Sequence, residues 1–147
     1  MTVMLHVRII AVGGIKEAFW ADAIAEYTKR MLKYCKLEIL QVKESTIKKE
    51  CEEISAKLKG HVLLFDINGE LVSSNELSNK IAKLSQNKST ITFVIGAHRG
   101  VGAYLDDFVN EKISFGRITL PHQLFRVVAV EQIYRAFTII SGEKYHK

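Results

Sequence analysis

Glu131 and Arg135 stand one helical turn apart in a stretch otherwise rich in Val127, Val128, Val130, Ile133, Tyr134, Phe137 and Ile140. At that spacing they can form an ordinary helix ion pair, worth about 0.2–0.5 kcal/mol. Charged groups kept on a helix bound for burial also mark sites and interfaces, where a carboxylate takes a proton and a guanidinium holds an anion. Just upstream, Ile118-Thr119-Leu120-Pro121-His122-Gln123-Leu124-Phe125-Arg126 contains the only proline of the chain. A strand turning through a proline into a helix presents unbonded backbone N–H groups, a natural docking point for a ligand. His122 is a candidate acid–base group there, set against the commoner role of a first-turn histidine bonded to nearby backbone. The final residues, Gly142-Glu143-Lys144-Tyr145-His146-Lys147, are too polar for a core and too aromatic for an idle tail.

Two more segments carry residues able to meet a ligand. Phe65-Asp66-Ile67-Asn68-Gly69 ends an apolar run, and Asp66 suits a base, a ribose partner or, most simply, a turn residue. Gly96-Ala97-His98-Arg99-Gly100-Val101-Gly102 ends another. It is neither G-x-G-x-x-G nor a loop ending in G-K-[ST], which disfavours a dinucleotide or Walker-type site. Its glycines serve a tight turn and a close backbone approach to a ligand equally well. His98 with Arg99 tips the balance toward a phosphate or RNA backbone.

These segments need elements to hold them. Strands are predicted over Val7 to Val12, Leu37 to Val42, His61 to Ile67, Thr90 to Ile95 and Ile113 to Leu120. Helices are predicted over Glu17 to Tyr34, Thr46 to Leu58, Ser73 to Leu84 with a Ser73/Glu76 capping box, Ala103 to Asn110, and from Pro121 onward. Gly60 closes the second helix, and Asn68-Gly69 makes a turn. The alternation implies an α/β fold: a mainly parallel sheet of five to six strands with helices on both faces, in a single domain over residues 1–147. In such sheets ligands bind outside the carboxyl ends of strands, where all three segments fall. The last helix, apolar on nearly every side, needs more cover than one small domain supplies and points to a partner.

Composition sets outer bounds. The 147 residues carry 21 Lys+Arg against 16 Asp+Glu, a net charge of +5 that permits a nucleic-acid partner without requiring one. Lys29, Arg30, Lys33 and Lys36, around the end of the first helix, can contact RNA phosphates or simply form a solvated helix end. Cys35 and Cys51 form no C-x-x-C and fall in predicted helices, as structural thiols of a reducing cytosol do. No segment approaches the ~20 apolar residues of a membrane span. Met1 to Arg8 reads as a first strand rather than a signal peptide, so a cytoplasmic location is expected. No Ser-His-Asp order, metal cluster or paired-carboxylate pattern assembles from these residues.

Leu120-Pro121-His122-Gln123, Arg126-Val127-Val128, Glu131-Gln132-Ile133-Tyr134-Arg135-Ala136-Phe137 and the terminal Tyr145-His146-Lys147 closely resemble the RlmH family of SPOUT-class 23S rRNA pseudouridine N3-methyltransferases. The likeness extends to Ile9-Ile10-Ala11-Val12-Gly13, Phe65-Asp66-Ile67-Asn68-Gly69, Ser73-Ser74 and Phe93-Val94-Ile95-Gly96. The resemblance implies an α/β trefoil knot, which the general rarity of knots would not suggest. It also implies a homodimer, with S-adenosylmethionine held in the knot and the active site completed across the interface. Cofactor contacts then fall on Phe65, Gly96, Phe115, Gly116, Arg117, Ile118, Thr119 and Leu120. Arg135, Tyr145, His146 and Glu131 fall near the target base. Two positions depart from the family pattern: Ala97-His98-Arg99 replaces a glycine followed by smaller or acidic residues, and Asn75 replaces a glutamate.

The implied reaction is methyl transfer to N3 of a pseudouridine in the ribosome or its large subunit. It needs in-line positioning rather than a metal, with His146 or Glu131 taking the N3 proton and Arg135 steadying the base anion. The rival classes are a non-catalytic RNA-binding module on the same fold and a flavodoxin-like nucleotide binder, the latter disfavoured by the missing phosphate loop.

Overall fold

The computed structural model describes residues 4–98 and 100–147. Met1 to Val3 and Arg99, which figure in the predicted first strand and the cationic loop, lie outside the described residues. Ten elements follow the predicted alternation: β1 (His6–Val12), α1 (Ala18–Met31), β2 (Lys36–Val42), α2 (Ile47–Ser55), β3 (His61–Leu71), α3 (Ser74–Ser85), β4 (Thr90–Ile95), α4 (Val101–Leu105), β5 (Glu111–Ser114) and α5 (His122–Ile140). The strands pair in the order β2-β1-β4-β3-β5, all parallel.

Side chains alternate along each strand, so an apolar run in a buried sheet feeds two cores. Ile9, Leu63 and Phe93 point into one, under α1, α3 and α5; Ile10, Leu64 and Val94 point into the other, with Ile54 of α2 and Leu105 of α4. The capping box forms as predicted: Ser73 Oγ accepts from Glu76 N–H at 3.1 Å and Glu76 Oε1 accepts from Ser73 N–H at 2.8 Å. Pro121 is the N-cap of α5, and its carbonyl accepts the first helical bond from Phe125 N–H at 2.9 Å.

Five expectations change. Asn68-Gly69 does not end β3; the strand continues to Leu71, with Phe65 and Glu70 both registered against Ile113 and residues 66–69 bulging between them. Gly69 allows this because a Cβ there would lie 2.7 Å from the Lys112 carbonyl carbon and 2.8 Å from Ile113 N. The fifth strand spans only Glu111–Ser114, and residues 115–120 leave the sheet as a loop. The short helix is α4, earlier and shorter than predicted, and Cys35 sits in the turn before β2 rather than in a helix. Both cysteines are buried free thiols, and burial pushes Cys35 up to about 12, which leaves it unreactive. Finally, α5 lies between α1 and α3 and buries Ala129, Val130, Ile133, Tyr134, Ala136 and Phe137 within the chain. That central position supplies most of the cover its apolar faces need, and Ile140 at its end stays exposed.

Gly69→Ala should therefore lower stability by about 1–3 kcal/mol through overpacking of the bulge. Urea unfolding would read this as an earlier midpoint at unchanged slope. An unmoved midpoint would show that β3 and β5 can separate there at no cost.

Candidate functional site

The start of the β3 bulge, the carboxyl ends of β4 and β5, the 115–120 loop and the first turns of α5 enclose a cavity of about 420 Å³. That size suits a small-molecule ligand. Phe65 is its structural hub. The ring lies 5.8 Å from Phe93, 5.1 Å edge-on to Phe115 and 5.3 Å edge-on to Phe125, so one side chain ties two strands, the loop and α5 together. Ser114 turns the chain out of the sheet: its Oγ accepts from Gly116 N–H at 3.1 Å and donates to Gly116 O at 2.8 Å. At the β4 end Gly96 is needed for space, since a Cβ would lie 2.9 Å from Val101 Cγ2.

Of the residues expected to meet the cofactor, Phe65, Gly96, Phe115, Gly116, Ile118, Thr119 and Leu120 line this one cavity. Arg117 does not; its guanidinium donates to the carbonyls of Ile67 and Gly69, bracing the β3 bulge instead. Asp66 lines the wall and also takes its turn role, Oδ1 accepting from Asn68 N–H at 2.9 Å. His122 also lines the wall, but its Nε2 is buried with no partner among the described residues, so that ring nitrogen makes no backbone bond. Phe125 and Val128 complete the wall from α5. The sequence hid those two because they look like ordinary core positions.

A second cluster forms farther along α5. Arg135 donates to Glu131 Oε1 through Nε at 2.9 Å and Nη2 at 2.6 Å, and Gln132 Nε2 donates to Glu131 Oε2 at 2.9 Å. That hydrogen bonding raises Arg135 above its ordinary range. The tail folds back onto this pair. Gly142, at φ +72°, reverses the chain after the helix, and Glu143 N–H donates to Thr138 O at 2.9 Å. Tyr34 OH donates to Glu143, and Lys33 Nζ lies 3.3 Å from the same carboxylate. Tyr145 packs edge-on to Tyr134 at 4.8 Å, under the Arg135 guanidinium at 4.9 Å, and donates to Glu131 Oε1 at 3.1 Å. His146 Nδ1 sits 3.1 Å from Arg135 Nη1; because arginine only donates, Nδ1 accepts.

Glu131, Arg135, Tyr145 and His146 are thus brought together, but none lines the cavity. Arg135 lies seven residues past Val128, the last α5 residue of the wall, or about 10 Å along the axis at ~1.5 Å per residue. Of the basic group at the end of α1, Arg30 pairs with Glu26 at 2.8 Å beneath the Tyr27 and Tyr134 rings, and Lys33 holds the tail. That group therefore borders the second cluster.

A family model described as "Predicted SPOUT methyltransferase" matches residues 5–146. The chain belongs to the SPOUT methyltransferases. Within that family it is similar to the ribosomal RNA large subunit methyltransferase H of Clostridium botulinum (strain Okra / Type B1), with 44% identity covering 97% of this chain and 100% of the relative. It is also 42% identical to the proteins of that name from Latilactobacillus sakei and Bacillus pumilus, again over 97% of this chain and 100% of each relative. The five-stranded parallel sheet with helices on both faces is consistent with SPOUT membership. Among the described residues no helix of this SPOUT protein is long and apolar enough to cross a membrane.

Burial pushes the Tyr145 phenol above the ordinary tyrosine range, helped by hydrogen bonding with Tyr27 and the charge of Glu131. A raised pKa in the folded state means that the docking of Tyr145 contributes fully below the ordinary tyrosine pKa of about 10 and is lost as pH rises through the folded value. Alkaline titration followed by tyrosinate absorbance should show one fewer late-ionising phenol in Tyr145→Phe than in wild type. Identical curves would mean that Tyr145 is not the shielded group.

Proposed function

We propose that this protein methylates N3 of a pseudouridine in 23S ribosomal RNA of the large subunit or ribosome, using S-adenosylmethionine, as a cytoplasmic single-domain homodimer with a trefoil-knotted C-terminal segment. The observation that carries the reading is the separation of two sites. A mostly apolar cavity holds the residues suited to the methyl donor, and a polar, aromatic and cationic cluster suited to a nucleotide base lies outside it. One chain does not join them, whereas a second copy can set its own cluster over the first copy's cavity. The names of the relatives supply the substrate class.

The fit to the donor is chemical. Phe65, Ile118, Leu120 and Phe125 offer apolar surface to an adenine and a sulfonium, and backbone groups of the 115–120 loop and His122 Nε2, which has no partner among the described residues, offer hydrogen bonds. S-adenosylmethionine, when bound, supplies an electrophilic methyl on its sulfonium. The chain's own residues do the rest. Arg135 is the cation for the uracil anion, whose charge spreads onto the two carbonyls flanking N3. Glu131, with one oxygen held by Arg135 and Tyr145 and the other by Gln132, acts chiefly to aim that guanidinium. His146 keeps an acceptor lone pair on Nδ1 and takes the N3 proton there once Arg135 turns to the base. Lys29, next to Arg30, and Lys36, at the start of β2, are exposed and suit RNA phosphates.

Truncation after Gly142 should leave binding of S-adenosylmethionine within a few-fold of wild type by calorimetry and reduce methylation by about a hundredfold or more. Turnover is read by mass spectrometry on ribosomes from a strain lacking this protein. Undiminished turnover would show the tail to be idle, and folded wild type that binds no S-adenosylmethionine would leave an RNA-binding module.

Composite sites make a second prediction. Thr119→Trp should block the cavity and Arg135→Ala should disable the cluster, each variant being inactive alone. Mixed and re-equilibrated one to one, they should regain about a quarter of wild-type activity, because half the dimers then hold one intact composite site. No recovery from a confirmed mixed dimer would place both parts of the site on one chain.

A further inference from the structure

Glu50 lies on the inward stripe of α2 and is 1% exposed. Its Oε2 accepts from Ser45 N–H at 2.8 Å, while Oε1 is buried with no hydrogen-bond partner among the described residues. A carboxylate removed from water needs a compensating partner. Among the described residues His98 approaches it, with Nε2 3.3 Å from Oε1 and 3.4 Å from Oε2.

His98 belongs to the loop after β4 and forms part of the cavity wall. The loop also packs on the first turn of α2, where a Cβ on Gly100 would lie 3.2 Å from Ile47 Cδ1. A buried acid on one element thus reaches a half-exposed imidazole on the rim of the proposed donor site.

The chemistry follows from the tautomer. A histidine that donates from Nε2 to a carboxylate carries its proton there, which leaves Nδ1 as an acceptor. Carboxylates orient metal-bound histidines in the same way. We infer that Glu50 holds His98 in this tautomer so that His98 Nδ1 accepts a hydrogen bond from a hydroxyl or amino group of the nucleoside part of S-adenosylmethionine. Glu50 is then a positioning residue, and His98 is the group that touches the cofactor and selects its pose. The inference rests on the reading of the cavity as the S-adenosylmethionine site.

The test uses calorimetry with S-adenosylmethionine, steady-state kinetics and nitrogen-15 spectra of the imidazole. His98→Ala should weaken S-adenosylmethionine binding about three- to tenfold, the scale of one hydrogen bond, raising KM while leaving kcat near wild type. His98→Asn, whose amide oxygen also accepts, should recover part of the loss. Glu50→Gln should keep the melting transition, shift the His98 nitrogen signals from one tautomer to a mixture, and weaken binding only while His98 is present. Normal binding by wild type with an unchanged His98→Ala would overturn this inference and leave the cavity assignment standing. An equal loss from Glu50→Gln in the His98→Ala background would also overturn it, since Glu50 would then act through the fold. No binding by folded wild type would overturn the cavity assignment and this inference with it.

Discussion

A guanidinium buried at the carboxyl end of the first strand holds the molecule's working helix in place. Arg126 is 1% exposed, and its Nη2 donates to the carbonyls of Val12 and Gly13 at 2.9 Å each. Those carbonyls close β1, so the bonds hitch the start of α5 to the carboxyl end of a central strand. Burial lowers the Arg126 pKa by penalising the charge, and Nε has no partner among the described residues. A charge that costs so much to bury tolerates few arrangements. Once Arg126 is seated, α5 must run between α1 and α3. Phe125 and Val128 then face the cavity, and Glu131 with Arg135 is carried away from it.

Separation of the two sites follows from helix geometry. The positions that wall the cavity and those that hold the polar cluster share one helix, but that helix leaves the strand ends at a fixed rise per residue. Side chains that far along the axis do not line their own chain's cavity, and the proposed function sets them over another chain's. The tail strengthens the second cluster. Glu143 bonds to Tyr34, Tyr145 to Glu131 and His146 to Arg135, which fixes the last six residues against the α1–α5 surface.

Much of this was legible beforehand. The Ser73/Glu76 capping box, the doubly apolar strands and the Pro121 helix start are local patterns, and local patterns survive folding unless packing overrules them. Packing overruled three. Asn68-Gly69 has the chemistry of a turn, yet pairing with β5 continues past it because Gly69 admits the neighbouring backbone. Residues 115–120 have strand-like composition, but Ser114 turns the chain out of the sheet. The predicted reach of α4 to Asn110 failed because the Asn110 side chain accepts from Val62 N–H at 2.8 Å and its N–H donates to Val62 O at 2.9 Å, drawing that segment to β3.

The sequence by itself determined the alternation of strands and helices and the family, because these depend on side-chain type and near spacing. Only the tertiary structure decided which residues meet. It divided one continuous C-terminal motif into a cavity wall and a distant polar cluster, diverted Arg117 to the β3 bulge, left His122 Nε2 without a partner among the described residues and set Glu50 behind His98. Those outcomes rest on contacts between elements far apart in the chain, and no local spacing encodes how a helix lies across a sheet.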